Sequence, residues 1–191
     1  MATTRPERAG LPAASARRAR DDDELARYPL RQSLTAAPET LAALRRSGLL
    51  EWLTKPECCL LVDDDDRITI CAAHEDALEQ AVAFIVQAHG ASVKLDAPQV
   101  HGVPDRQGGA PLQPLMFVRA QVPRAHAAQA LEELVRRHAN ILENDRQTDC
   151  VVLRAEVRLA DLLGYPVFLR ELTGGTAALW IWLLRYAPGR A

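Results

Sequence analysis

The sequence predicts an α+β fold built from two tandem βαββαβ units, each an antiparallel sheet with its helices on one face. Three observations predict it. Hydrophobic spacing switches between a period of two and a period near 3.6 in the order strand, helix, strand, strand, helix, strand. That order occurs twice along the chain. The two occurrences are separated by the Pro- and Gly-rich run APQVHGVPDRQGGAPLQP, residues 97–114, whose composition marks a connection.

The chain has 191 residues, 48% of them hydrophobic and 25% charged, with a formal net charge of -2. Its length suits two small cores, and a near-neutral total argues against a general nucleic-acid binder while allowing a local basic face. Lys55 and Lys94 are the only lysines, so nearly all cationic chemistry falls to arginine. No apolar run approaches the roughly 18 residues a membrane span needs, and no apolar h-region follows Arg17-Arg18, so neither a membrane partner nor a secretory signal is expected. Cys58, Cys59, Cys71 and Cys150 lack the paired spacing of a zinc site, and a reducing cytoplasm is the simplest compartment.

Residues 1–27 carry Arg17-Arg18-Ala19-Arg20 followed by Asp21-Asp22-Asp23-Glu24 with few large apolar side chains. Such a segment cannot offset its ordering entropy, and a mobile tail is expected. The first unit spans 28–100. Tyr28 to Leu34 is its first strand, Pro29 suiting an edge position. Pro38-Glu39 opens a helix with Leu41, Leu44 and Leu49 on one face, ended near Gly48 or by Pro56. Cys58 to Val62 and Arg67 to Ala72 form a hairpin around the acidic turn Asp63 to Asp66. If Leu60 and Val62 share the inward face with Ile68 and Ile70, Cys59 lies opposite Cys71. A helix from Glu75 to Ala88 points Leu78, Val82, Ile85 and Val86 inward, and Ala91 to Leu95 is the last strand.

Residues 101–113 are the linker, and the second unit spans 114–188. Leu115 to Val122 alternates as a strand. Arg124 to His138 is a helix with Ala127, Ala130, Leu131, Leu134 and Val135 inward. Asn140 to Arg146 and Cys150 to Val157 are strands, Leu159 to Leu172 is helical, and Leu179 to Tyr186 closes the sheet. Pro166 should kink the last helix unless Gly164-Tyr165 already breaks it. The order β, α, β, β, α, β in each unit is the ferredoxin-like arrangement.

Catalytic chemistry finds no constellation. No GxxxxGK[ST] string occurs, so no nucleotide is expected to bind. The five histidines are scattered, and His74-Glu75 lacks the second histidine of a zincin helix. Asp63 to Asp66 lacks EF-hand spacing and reads as a solvated turn. The expectations are therefore no enzyme, no cofactor and no metal.

The strands of the second unit sort their side chains by parity. Met116, Val118, Val151, Leu153, Leu179, Ile181 and Leu183 face the helices, leaving Phe117, Arg119, Val152, Arg154, Trp180, Trp182, Leu184 and Tyr186 on the open face. Base stacking on those aromatics, flanked by Arg119, Arg154 and Arg185, is one use of that face. Burial against the first unit or a second chain is the favoured one, because monomers rarely expose so large an apolar patch. Phe117, Val152, Trp180, Trp182, Leu184 and Tyr186 are thus the candidate protein interface, with a homodimer among its outcomes.

Pro114-Leu115-Met116, Val118, Pro123, Ile141, Ala155-Glu156-Val157, Leu159, Gly164-Tyr165, Leu169-Arg170, Leu172-Thr173, Gly175 and Tyr186 fall in the pattern of one known family without a gap. Residues 114–188 resemble the C-terminal domain, domain V, of translation elongation factor G and of ribosomal protection proteins. Residues 41–100 bear a looser likeness to domain III of the same factors, through Arg67-Ile68-Thr69-Ile70, Glu75, Leu78, Glu79 and Pro98-Gln99-Val100. The resemblance implies a non-catalytic protein that binds the ribosome, at ribosomal RNA or stalk-base protein, with Arg124, Arg136, Arg137 and Arg170 as its basic contacts. Where the family carries a Gln-Gly-Arg-Gly loop this chain has Gly174-Gly175-Thr176-Ala177, and where it carries Arg-Arg-Gly-Arg this chain has Arg137-His138-Ala139-Asn140. The other class of function is a protein-interaction or small-ligand regulatory module working through the aromatic sheet face.

Overall fold

The computed structural model describes residues 24–64 and 66–189. The expected mobile tail, apart from residues 24–27, lies outside the described residues. The first sheet contains β1 (Leu30–Ala36), β2 (Cys59–Asp63), β3 (Ile68–Ala72), β4 (Val93–Leu95) and β5 (Gln99–Val100) in the order β2-β3-β1-β4, with β5 also pairing β1. Its helices are α1 (Pro38–Arg46), α2 (Leu49–Leu53) and α3 (Glu75–His89). The second sheet runs β7-β8-β6-β9, from β6 (Gln113–Pro123), β7 (Asn140–Arg146), β8 (Cys150–Arg158) and β9 (Ala178–Ala187), with helices α4 (Ala127–Arg136), α5 (Leu159–Leu162) and α6 (Tyr165–Thr173). The same strand permutation in both sheets makes the fold α+β with two ferredoxin-like units.

The breaks in the helices have local causes. Gly48 takes φ 71°, in the left-handed region that glycine enters without a Cβ penalty, and this divides α1 from α2. Gly164 does the same at φ 81° between α5 and α6. The break at Gly164-Tyr165 is the expected alternative to a kink: Pro166 occupies the first turn of α6, where its missing N–H leaves no bond unmade. Pro29 precedes β1 and its carbonyl accepts from the His101 N–H at 2.7 Å. β1 is thus a central strand, with Pro29 outside its ladder.

Alternation buries Leu30, Leu34, Ile68 and Ile70 in the first unit and Met116, Val118, Leu153 and Val157 in the second, all fully or almost fully enclosed. Three expected placements differ. Val86 and Val135 are exposed; on α3 the inward stripe is Ala77, Leu78, Ala81 and Ile85, and on α4 the carboxylate-bearing Glu133 is buried while Val135 faces out. The β2–β3 register is also one residue from the expected one. Cys59 pairs with Ala72 and Leu60 with Cys71, so Leu61, opposite Ile70, is the inward residue. A shift of one residue turns the β2 side chains over: Cys59 enters the helix-facing core, while Cys71 keeps the opposite face beside Arg31, its other register partner. Burial raises both thiols, Cys59 to about 11 and Cys71 in the same direction; inert packing is what such sites favour.

Candidate functional site

The open face of the second sheet is laid out in cross-strand rows. Trp180 on the edge strand β9 is opposite Arg119 on β6, Arg119 is opposite Arg154 on β8, and Arg154 is opposite Glu143 on β7. The Arg119 guanidinium lies 4.6 Å from the Trp180 ring centroid, within cation–π reach, and Arg154 forms an ion pair with Glu143. In the next row Trp182 stacks on Phe117 with centroids 4.6 Å apart, and Glu156 opposite Phe117 takes Arg185 at 3.1 and 3.2 Å. Trp180 and Trp182 remain 44% and 45% exposed and Leu184 39%. Part of each indole thus stays open, while His74, Glu75 and Asp76 of the first unit line a cleft with both tryptophans.

Two of the expected interface residues, Tyr186 and Val152, do not present the expected contact surface. A bulge between Leu115 and Met116 pairs Leu115 with Arg185 and Met116 with Leu183, so Leu184 is the extra residue of β9. The bulge reverses the parity beyond it: Arg185 joins the open face, and Tyr186, opposite Pro114, turns to the other. There its hydroxyl donates to the Ala26 carbonyl at 2.8 Å, and burial pushes it up to about 12, with Arg31 nearby pulling the other way. Val152 keeps the expected face but is 1% exposed, walled in by its longer neighbours, and offers no contact surface.

The four arginines do not form one patch. Arg137 is internal: Nε donates to Glu133 at 2.7 Å, Nη1 donates to the carbonyls of Asp161 and Leu163 at 3.0 and 2.6 Å, and its guanidinium lies 5.9 Å from the Tyr165 ring centroid. Arg136 shares Glu133 while staying largely exposed. Arg124 stands just before α4, its Nε donating to the Gln147 carbonyl at 2.9 Å. Arg170 is exposed in the last turn of α6. A cleft of about 380 Å³ between α4 and the β7–β8 hairpin is bordered by Arg124 and Arg146; Arg146 is a residue that the sequence pattern did not single out.

The junction of the two units is also built from the Gly164 corner. The Gly164 N–H donates to both oxygens of Glu75, at 2.8 and 3.1 Å, although 89 residues separate them. Glu75 opens α3 in the first unit. Burial raises its pKa first, the Gly164 hydrogen bond lowers it, Glu79 and Asp76 raise it, and Arg137 lowers it, for a net upward shift. Beside it His74 caps α3, Nδ1 accepting from the Ala77 N–H at 3.3 Å, and burial lowers its pKa against a smaller upward pull from Asp76. In the acidic turn, Arg45 grips Asp63 through two nitrogens at 2.8 to 3.1 Å and also reaches the Asp64 carbonyl. Among the described residues no group of three metal-ligating side chains gathers, and no helix is long and apolar enough to cross a membrane.

The described residues thus hold two antiparallel sheets of ferredoxin-like order. Residues 112–191 match the family Elongation factor G C-terminus. Over 81 residues the chain is 35% identical to mitochondrial ribosome-releasing factor 2 of Danio rerio, covering 42% of this chain and 11% of that one. Over 76 residues it is 36% identical to elongation factor G 2 of Hahella chejuensis, covering 40% and 11%. The chain thus spans about a tenth of the length of these relatives, and their GTPase region is not matched. A crystal structure of a Thermus thermophilus protein superposes with a TM-score of 0.53 at 15% identity, over 82% of this chain and 40% of that one, a likeness of fold.

Proposed function

We propose that this protein binds the ribosome or another component of the translation apparatus as a non-catalytic, elongation factor G-like module of the cytoplasm. The observation that carries the reading is the family match over residues 112–191, held on the β7-β8-β6-β9 sheet. The first unit, residues 28–100, is read as the domain III counterpart, joined by the 101–113 connection to a domain V counterpart at 114–188. Exposed Arg124, Arg136 and Arg170 are its basic contacts; Arg137, tied to Glu133 and two carbonyls, holds the corner in shape. Salt-dependent co-sedimentation with ribosomes tests it. Pelleting at low salt that weakens as salt rises is the expected result, and no pelleting at low salt would sink the reading.

A second reading rests on Trp180 and Trp182. Their exposure favours a protein contact through the open face, with a second copy of this chain as one partner. Light scattering on the free chain distinguishes it: dimers abolished by a Trp180→Ala, Trp182→Ala double variant support this contact, and a monomer at all concentrations removes the homodimer.

A further inference from the structure

Strand parity sorts the charges of β7. Beyond the irregularity between Ile141 and Glu143, Glu143 and Asp145 fall on the open face, while Asn144 and Arg146, opposite Leu153 and Val151, fall on the face toward α4. The Asp145 carboxylate is further engaged by the Gln147 amide at 3.3 Å. The cleft beneath α4 therefore receives a cation and an amide from β7 and no carboxylate.

A second cation comes from Arg124. Its backbone N–H donates to the Asp149 carbonyl at 3.4 Å and its Nε to the Gln147 carbonyl, so the hairpin fixes the side chain by one edge. Among the described residues neither Nη atom of Arg124 has a partner, and Arg146 makes no hydrogen bond or ion pair. Leu131 and Val151 supply an apolar floor to the roughly 380 Å³ between them. Two other clefts differ in charge. The one at α1 and α2 has Asp63 already bound to Arg45 and Glu51 in its wall, and the one between the units is lined by Glu75 and Asp76.

We propose that the α4–hairpin cleft is a phosphate seat for the backbone of an RNA strand, with Arg124 and Arg146 contacting phosphate and Leu131 and Val151 receiving the sugar. Guanidinium edges match phosphate oxygens two at a time, and a cleft without carboxylates does not repel them. The RNA source rests on the translation-factor reading, whereas the phosphate chemistry stands on the cleft alone.

The test uses the full chain and fluorescence anisotropy with a short labelled single-stranded RNA, titrated between about 50 and about 200 mM salt, with pyrophosphate as competitor. Two phosphate contacts on a single strand contribute a slope of about -1.4 in log K against log salt, or about seven-fold over that range. An Arg124→Ala, Arg146→Ala double variant should flatten the slope by that amount, Arg124→Lys with Arg146→Lys should retain it, and Arg170→Ala should retain the cleft's share. Arg146→Ala alone, lacking any internal partner, should remove about half even if Arg124→Ala loosens the hairpin. Unchanged slopes in all variants, no RNA binding at low salt, or tighter binding of a phosphopeptide than of RNA would overturn the proposal. Pyrophosphate that competes while RNA is bound only weakly would assign the seat to small phosphates and overturn the RNA strand. Ribosome pelleting that survives the double variant, with its RNA slope also unchanged, sinks the seat and spares the translation reading. Loss of RNA binding by the variant in a protein that never pellets does the reverse.

Discussion

Glu75 offers the sharpest test of how the two units are held together. Its carboxylate receives the Gly164 N–H at 2.8 and 3.1 Å across the junction. Hydrogen bonds to charged groups contribute about 1.5–3 kcal/mol, and a buried donor left unmade costs a similar amount; with Glu75 only partly enclosed, Glu75→Ala should cost about 2 kcal/mol. For a chain of this size that is a drop of about 4–8 °C in melting temperature, read by circular dichroism. Glu75→Gln separates the hydrogen bond from the charge, because the amide oxygen still accepts from Gly164. The native pKa of Glu75 is raised, chiefly by burial, so the folded state keeps the proton to higher pH than the unfolded chain does. Its contribution is thus full below the ordinary carboxylate range and falls as pH rises through the native pKa. Relative to the unsubstituted protein, Glu75→Gln should therefore gain stability from acid to neutral pH. A melting shift under about 1 °C for Glu75→Ala, or a pH-independent difference for Glu75→Gln, would refute the junction as described.

The remaining predictions concern the second unit and the thiols. Arg137→Ala should cost about 2–4 kcal/mol in urea unfolding, since it strips one partner from the buried Glu133 and one donor from each of the Asp161 and Leu163 carbonyls, whereas the exposed Arg170→Ala should stay within about 0.5 kcal/mol. Gly164→Ala should cost about 1–2 kcal/mol for placing a Cβ at φ 81°, measured the same way. Cys59, with its thiol pushed up to about 11, should resist iodoacetamide at mildly alkaline pH in the folded chain and react on unfolding, by mass spectrometry, while the half-buried Cys58 and Cys150 are modified first.

Element type and order were legible because they depend on local periodicity. The β7 bounds, Asn140 to Arg146, match the expected ones, and the Gly164-Tyr165 break that relieves Pro166 was readable from glycine alone. What periodicity cannot locate is an inserted residue. The extra Leu184 reverses Tyr186 and Arg185, and the hairpin register turns Cys59 into the core and away from Cys71; both errors amount to one position, and period two converts one position into the opposite face. The internal role of Arg137 left a trace, since Glu133 stands four residues before it at ion-pair spacing on a helix. The Glu75–Gly164 contact left none, because no local pattern links residues 89 positions apart.

The same parity argument explains how one small sheet serves two kinds of surface. On the open face Arg119 lies over Trp180, Arg154 against Glu143 and Arg185 against Glu156. Phosphate binding there would have to compete with carboxylates a strand away, so the exposed indoles suit a protein better than a nucleic acid. On the helix side of β7 the carboxylates are absent and the guanidinia of Arg124 and Arg146 border a common cleft. A strand reading Glu-Asn-Asp-Arg from 143 to 146 divides acid from base by its pleat alone. Exchanging Asn144 for Asp would place a carboxylate in the cleft without altering the open face. It should weaken RNA binding while leaving any Trp-dependent protein contact intact, and equal loss of both would show that the two faces are not separated in this way.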